Sequence, residues 1–386
     1  MAATQCLIVE HIEENLHART VILNRAHNLN VLSSQMVSRL HEVFIACDKD
    51  PEVKLVILKG NGKAFCVGGD LTESFHDSTE GHWRLGARFL WSVYTLVYRI
   101  ATLNKPRFQS LMECTFYLTR VIFLQVFAMP ETGMGIVPDV GASFFLSKLP
   151  GFFGEYVGLT GARLDGTEML ACGLATHFVP SVKLSLLDEA LNKLDTADPA
   201  IISTIIDKFS EQPPLKESSA YHRLDIIDRC FSQMTVEHVI SALEIESVKC
   251  RDAWISEAVY LMKKASPIAL KVFFQIVILV FIFTQIRGGR LLGLDQCLAR
   301  EYKIVCHALP KEISHDMFEG YRAHFLRKDR TPKWEPSRLE LVTDAMVDLY
   351  FSKVNADEWK DLVLPVRSNS SIFTIYGKAL RISWIV

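Results

Sequence analysis

Residues 33–62 read SSQMVSRLHEVFIACDKDPEVKLVILKGNG. The apolar residues Met36, Leu40, Val43, Phe44 and Cys47 recur at i, i+4, i+7, i+8 and i+11, so they share one face of an α-helix. Ser33 or Ser34 can cap its start, and Asp48 to Pro51 end it. Next comes VKLVIL, Val53 to Leu58, an unbroken apolar run stopped by Gly60-Asn61-Gly62, which reads as a buried strand. Upstream, Leu7 to Glu10 and Thr20 to Leu23 are shorter runs of strand character. Strand, helix and strand joined by short links predict an α/β layered fold.

Beyond this unit, an apolar helix is expected from about Trp83 to Leu103, ending near Pro106, and past Pro150 the pattern turns mostly helical. Leu164 to Leu174 reads as a helix with Asp165 or Thr167 near its start. Thr235 to Ile245 and Asp252 to Ala265 are further amphipathic stretches, and Ser266-Pro267 opens another because proline suits a first helical turn. Asp195 to Cys230 is more polar, with Pro213-Pro214, and reads as a connection. Val272 to Phe283, VFFQIVILVFIF, falls short of the roughly 20 residues a membrane helix requires. It is read as a buried core element; the other reading is a segment foreign to the fold.

The chain has 386 residues, more than one average domain of about 150, so two or more packing units are expected. Apolar residues make up 49% and charged residues 22%, a globular balance. Lys plus Arg number 42 against 44 Asp plus Glu, so no basic excess exists to hold a nucleic-acid backbone. Nine cysteines without a C-x-x-C pair suggest reduced thiols in an intracellular protein. Met1 to Asn15 lacks an apolar signal core and an Arg-rich leader pattern, and Trp384-Ile385-Val386 is no peroxisomal address. No H-E-x-x-H, clustered Cys/His set or EF-hand loop occurs, so no protein-bound metal is expected. The G-x-x-x-x-G-K-[ST] and G-x-S-x-G signatures are also missing, which argues against a P-loop NTPase and a serine esterase.

Two stretches can carry chemistry. The first, Lys63 to Leu71 (KAFCVGGDL), follows the buried strand, and its adjacent Gly68 and Gly69 let backbone N–H groups come close to a ligand. Such groups can stabilise an oxyanion, although the same residues also suit an ordinary turn into a helix. The second runs from Ala128 to Ser143 and sets Glu131 and Asp139 eight positions apart among glycines and prolines. Paired acids can divide general-base and positioning roles; two solvated loop acids are the alternative. Gly158 to Gly161 reads as a helix end and turn, and His177 as a packed or partly exposed residue.

Together these pieces resemble the crotonase (enoyl-CoA hydratase/isomerase) superfamily, and within it the 3-hydroxyisobutyryl-CoA hydrolases, particularly the plant ones. The matching stretches are Leu23-Asn24-Arg25, Leu29 to Ser33, Lys63 to Leu71 and, most specific, Phe127 to Ser181. Further matches are Ser266-Pro267 with Leu270-Lys271, Asp295 to Leu298 with Glu301-Tyr302, Phe318 to Ala323 and Pro332-Lys333-Trp334. The resemblance spans roughly residues 5–350. It implies an α/β spiral of strand–strand–helix turns followed by a C-terminal helical region. The expected division is an acyl-CoA-binding core over 5–190, a mainly helical part over 191–350 and an unaligned tail over 351–386. It also implies that Asn24, Arg25, Leu29, Val67, Gly68 and Leu71 lie near CoA, that the Gly69 N–H is one oxyanion donor, and that Glu131 is the catalytic acid/base. Asp139 would hold the acyl hydroxyl or assist proton transfer. The implied reaction is hydrolysis of 3-hydroxyisobutyryl-CoA in valine breakdown, without metal or cofactor, since CoA belongs to the substrate. The family's compartments are mitochondria or peroxisomes, and its helices often mediate homo-oligomers.

Three stretches depart from the family. Arg107 to Val126, RFQSLMECTFYLTRVIFLQV, is shorter than the family's segment and contains no glycine, whereas the family places there a strand and a glycine-rich turn that supplies the second oxyanion N–H. Loss of one such donor lowers kcat by about 10²–10³. The apolar run Ile276 to Gln285 interrupts an expected helix, and the tail Ser368 to Val386 does not align. Misplaced splice boundaries or divergence toward a weakly active copy would each produce all three. The alternatives to a hydrolase are a non-catalytic CoA-binding or assembly protein and an enoyl-CoA hydratase or isomerase.

Overall fold

The structure is a computed structural model, and it describes residues 10–15, 17–104, 107–110, 126–250, 252–286, 292–354, 359–365 and 384–385. The first layer comprises β1 (Glu10–Asn15), β2 (Ala18–Leu23), α1 (Ser34–Lys49), β3 (Leu55–Gly60), α2 (Leu71–Thr79), α3 (Trp83–Ala101) and β4 (Arg107–Ser110). There follow β5 (Val126–Phe127), α4 (Ala142–Leu146), α5 (Phe153–Thr160), β6 (Leu164–Asp165) and α6 (Gly166–Cys172). The remainder is helical: α7 (Leu184–Asn192), α8 (Pro199–Asp207), α9 (Leu224–Phe231), α10 (Val236–Cys250), α11 (Ala253–Lys264), α12 (Pro267–Ile286), α13 (Leu294–Ala308), α14 (Asp316–Tyr321) and α15 (Asp344–Phe351), before β7 (Trp384–Ile385).

Ser33 caps α1 by accepting from the Met36 N–H, and the predicted face of Met36, Leu40, Val43, Phe44 and Cys47 is buried. That face packs on β2 and β3 through Val21, Leu23, Val56 and Leu58, with Val93 and Leu96 of α3 closing the layer. The sheet order is β1-β2-β3-β4-β7. β1 runs antiparallel to β2, while β2–β3, β3–β4 and β4–β7 are parallel. Of the strand expected at Leu7 to Glu10, Leu7 to Val9 lie outside the described residues; β1 runs on from Glu10 through the acidic Glu13 and Glu14. An edge strand tolerates charge because ladder bonds on one side suffice to hold it.

The stretch Asp195 to Cys230 is not a bare connection. It contains α8 and α9, which bury Ile202, Ile206, Ile226, Ile227, Cys230 and Phe231. Both helices are short, and the polar stretch with Pro213-Pro214 between them hid them. α12 runs unbroken from Pro267 to Ile286, so the apolar run does not interrupt it there, and Val272, Phe273, Phe274, Ile276 and Val277 are core residues. No helix among the described residues is long and apolar enough to cross a membrane. The Phe273 ring abuts Gly158 of α5 so closely that a β-carbon there would collide with it. Of the glycine-free segment, β4 forms the expected strand beside β3; residues 111–125, and with them the missing turn, lie outside the described residues. The same holds for nearly all of the tail.

Candidate active site

Two loops make the site. The first leaves β3 at Gly60, where the Phe65 backbone passes too close for any side chain. It is stitched to the loop after β2. Buried Asn30 donates to the carbonyls of Asn61 (2.9 Å) and Ala64 (2.7 Å) and accepts from the Arg25 N–H. Asn61 donates to Asn24 Oδ1 at 2.8 Å. Leu32 N–H bonds the Gly68 carbonyl and Asp70 N–H bonds the Leu32 carbonyl, each at 2.8 Å. The turn needs glycine at 68, where φ is +98°. Asp70 then caps α2 by accepting from the Thr72 N–H and holds Arg25 Nη1 at 2.9 Å. The six residues expected near CoA are thereby gathered on two neighbouring loops, with Gly69 between them.

The second loop carries the acids. Glu131 opens a 3-10 turn, Glu131–Met134, whose outer side is clamped by the C-terminal helices. Ser266 N–H donates to the Thr132 carbonyl at 3.0 Å, and His324 Nε2 donates to the Gly133 carbonyl at 3.1 Å. Gly135, at φ +81°, and Gly320 of α14 permit backbone-to-backbone contact that a β-carbon at either position would block. Farther along, buried Glu301 of α13 accepts from the N–H groups of Gly141 (2.6 Å) and Ser143 (2.8 Å) and from Ser143 Oγ (2.6 Å). Between these anchors lies Asp139, whose Oδ2 accepts a 2.6 Å hydrogen bond from the hydroxyl of fully buried Tyr94 on α3.

Gly69, Glu131 and Asp139 face one pocket, walled by apolar side chains that include Leu71, Leu90, Val93, Ile136, Val305 and Met317. Glu131 is 2% exposed, and neither of its carboxylate oxygens has a hydrogen-bond partner among the described residues. Burial pushes its carboxyl well above the ordinary range, the nearby Asp139 charge pushes it further, and its own backbone opposes both. Asp139 keeps some accessible surface, yet its carboxyl is set deep among protein atoms; burial raises it to about 6 against the opposing Tyr94 bond. Glu301 rises to about 7 by burial, despite its three donors. The Asp139 charge is felt at Glu131, so the two compete to ionise, and the partnerless one is suited to take and return a proton or to attack a carbonyl.

The layered sheet, the glycine loop at a strand exit and the acid pair under a helical cover define a crotonase-type α/β protein. The chain belongs to the enoyl-CoA hydratase/isomerase family, whose sequence profile matches residues 18–113 and 123–351. The break in that match falls inside the glycine-free segment. The chain is 50% identical over 368 residues to 3-hydroxyisobutyryl-CoA hydrolase 1 of Arabidopsis thaliana, covering 93% of this chain and 94% of that one. It is 37% identical to the small ribosomal subunit protein mS47 of the same plant, over 94% of this chain and 89% of that one. Among solved structures, a carnitinyl-CoA dehydratase from Mycobacterium thermoresistibile superposes with a TM-score of 0.76 at 29% identity, covering 92% of this chain and 98% of that one.

Sequence reasoning missed Tyr94, His324 and the role of Glu301. Tyr94 could have been found: a phenol in the middle of the apolar face Ala87, Leu90, Val93 of a buried helix needs a polar partner. Glu301 and Ser143 are 158 positions apart, and no local pattern joins them.

Proposed function

We propose that this chain hydrolyses 3-hydroxyisobutyryl-CoA, or a similar short 3-hydroxyacyl-CoA thioester, to the free acid and CoA, a step of valine breakdown. The observation that carries this reading is the partnerless Glu131 carboxyl beside Asp139 in an apolar pocket. In the proposed reaction Glu131 takes a proton from water, whose oxygen adds to the thioester carbonyl, or its own oxygen adds first and water releases the acyl group. The C–S bond breaks, and the CoA thiolate leaves with the proton. Asp139 holds the 3-hydroxyl, and the Gly69 N–H supports the oxyanion. The loops at Asn24 to Leu29 and Val67 to Leu71 take the CoA. No metal or cofactor enters the reaction, because water and a carboxylate supply all that hydrolysis requires. We place the reaction in the mitochondrion, the compartment given for several relatives.

The test is thiol release from 3-hydroxyisobutyryl-CoA by the purified full chain. Glu131→Gln is expected to abolish it, and an unchanged rate in that variant would sink the reading. A second reading, a CoA-binding or assembly protein without turnover, draws on the break in the family match at the glycine-free segment. Acyl-CoA binding by a folded chain with no turnover would favour it.

A further inference from the structure

We propose that Tyr94 is a positioning residue for this reaction: its hydroxyl, bonded to Asp139 Oδ2, favours the negative charge of the acid pair on Asp139 rather than on Glu131. This rests on the hydrolase reading above and deepens it.

The geometry is specific. Tyr94 lies on α3, outside both site loops, and is fully buried. Its ring stands edge-on to Tyr302 of α13 at 5.6 Å, and the Tyr302 hydroxyl donates to the Ala87 carbonyl of α3 at 3.1 Å. The phenol is therefore fixed by packing on two helices, and its hydroxyl meets Asp139 at 2.6 Å. A bond from a neutral donor to a carboxylate favours the ionised form. Glu131 has no such donor among the described residues.

Among the described residues, the other titratable groups facing this cluster include Glu301, Tyr302 and Cys306, all on α13. A charge on Glu301 opposes a charge on Asp139, so it cannot be what draws the negative charge there. Among the described residues neither acid of the pair has an ion-pair partner. Besides the deeper burial of Glu131, the Tyr94 hydroxyl is the side-chain donor that distinguishes the two carboxyls. With the charge on Asp139, an incoming hydroxyl group meets an ionised acceptor, and Glu131 must lose its proton before acting as base.

Removing the hydroxyl makes Asp139 harder to ionise. In a coupled pair whose first charge sits on Asp139 this raises the first apparent pKa and moves the second, which reports Glu131, little. The experiment follows kcat/KM for thiol release against pH in the full chain and in Tyr94→Phe, which keeps the ring and its packing. The steep acid end of the limb, where both carboxyls are protonated, is expected to fall about tenfold, with little loss at the limb's midpoint and above. Genetically encoded 3-fluorotyrosine at position 94, a stronger donor, should move that end of the limb the opposite way, and it provides the readout if Tyr94→Phe does not fold. Superimposable profiles in both variants would overturn the proposal. If the unmodified chain shows no Glu131-dependent thiol release, the hydrolase reading fails on its own. The role of Tyr94 is then read from carbon-13 NMR titration of the Asp139 carboxyl. An upward move in Tyr94→Phe supports the role, and an unchanged titration refutes it.

Discussion

The two walls of the pocket are built in different ways. The acid wall, Glu131 to Ser143, is bound to groups far away in sequence: Glu301 and Ser266 on α13 and ahead of α12, His324 beyond α14, Tyr94 on α3. The glycine wall, Gly60 to Leu71, is bound mainly to the neighbouring loop at Asn24 to Leu32 and opens into the partly exposed α2. Buried hydrogen-bonded networks are costly to disturb, whereas half-exposed loops yield. The acid loop is therefore held rigidly by the whole fold, while the glycine wall keeps room to adjust.

The strongest way to break this contrast is Glu301→Ala. It strands two buried N–H groups and a hydroxyl, and we expect a loss of about 3–5 kcal/mol in urea unfolding, with activity falling alongside. Glu301→Gln, which keeps an acceptor, should cost less. If Glu301→Ala unfolds like the unmodified chain, the acid wall is not held as described. Gly135→Ala comes next. It combines a left-handed backbone with a collision against the Asp316 carbonyl, and about 2–4 kcal/mol should be lost. On the glycine wall, Arg25→Ala removes the contact with Asp70 between two partly exposed side chains. Stability should change by about 1 kcal/mol or less, while KM for the CoA thioester rises several-fold with kcat nearly constant. A fall in kcat with KM unchanged would place Arg25 on the acid side.

The smallest effect is a pH effect whose sign is fixed. Burial raises the folded carboxyl of Glu131 well above its ordinary range, Asp139 to about 6 and Glu301 to about 7. The folded state thus binds more protons than the unfolded one above about pH 4, and stability falls as pH rises from there through the folded values. Glu131→Gln removes one such group. Its unfolding midpoint should lie above that of the unmodified chain at pH 8, and the gap should close toward pH 4. A gap that widens on acidification would mean that Glu131 is stabilised as an anion.

Much of this was legible in the sequence because it is local. The α1 face, β3, the Ser266-Pro267 helix start, and the loops bearing Gly69, Glu131 and Asp139 all follow from spacing and turn chemistry within about ten residues. The resemblance then assigned roles to those loops. What stayed hidden is long-range. The Glu301 clamp joins positions 158 apart, and the passage of Gly320 against Met134 depends on how α14 docks. The helices α8 and α9 were missed because each is short and a polar, proline-bearing stretch separates them. The acid pair's division of charge was invisible for the same reason: it depends on Tyr94, 45 positions before Asp139.

The central claim is that Glu131 serves hydrolysis of an acyl-CoA thioester. The most direct measurement follows both products of one reaction: free thiol by colour and the released 3-hydroxy acid by chromatography. We predict equal amounts of the two, formed by the unmodified chain and lost by about a thousandfold in Glu131→Gln. Acid and thiol formed equally fast by Glu131→Gln, or an acyl-CoA converted with its thioester intact, would contradict it.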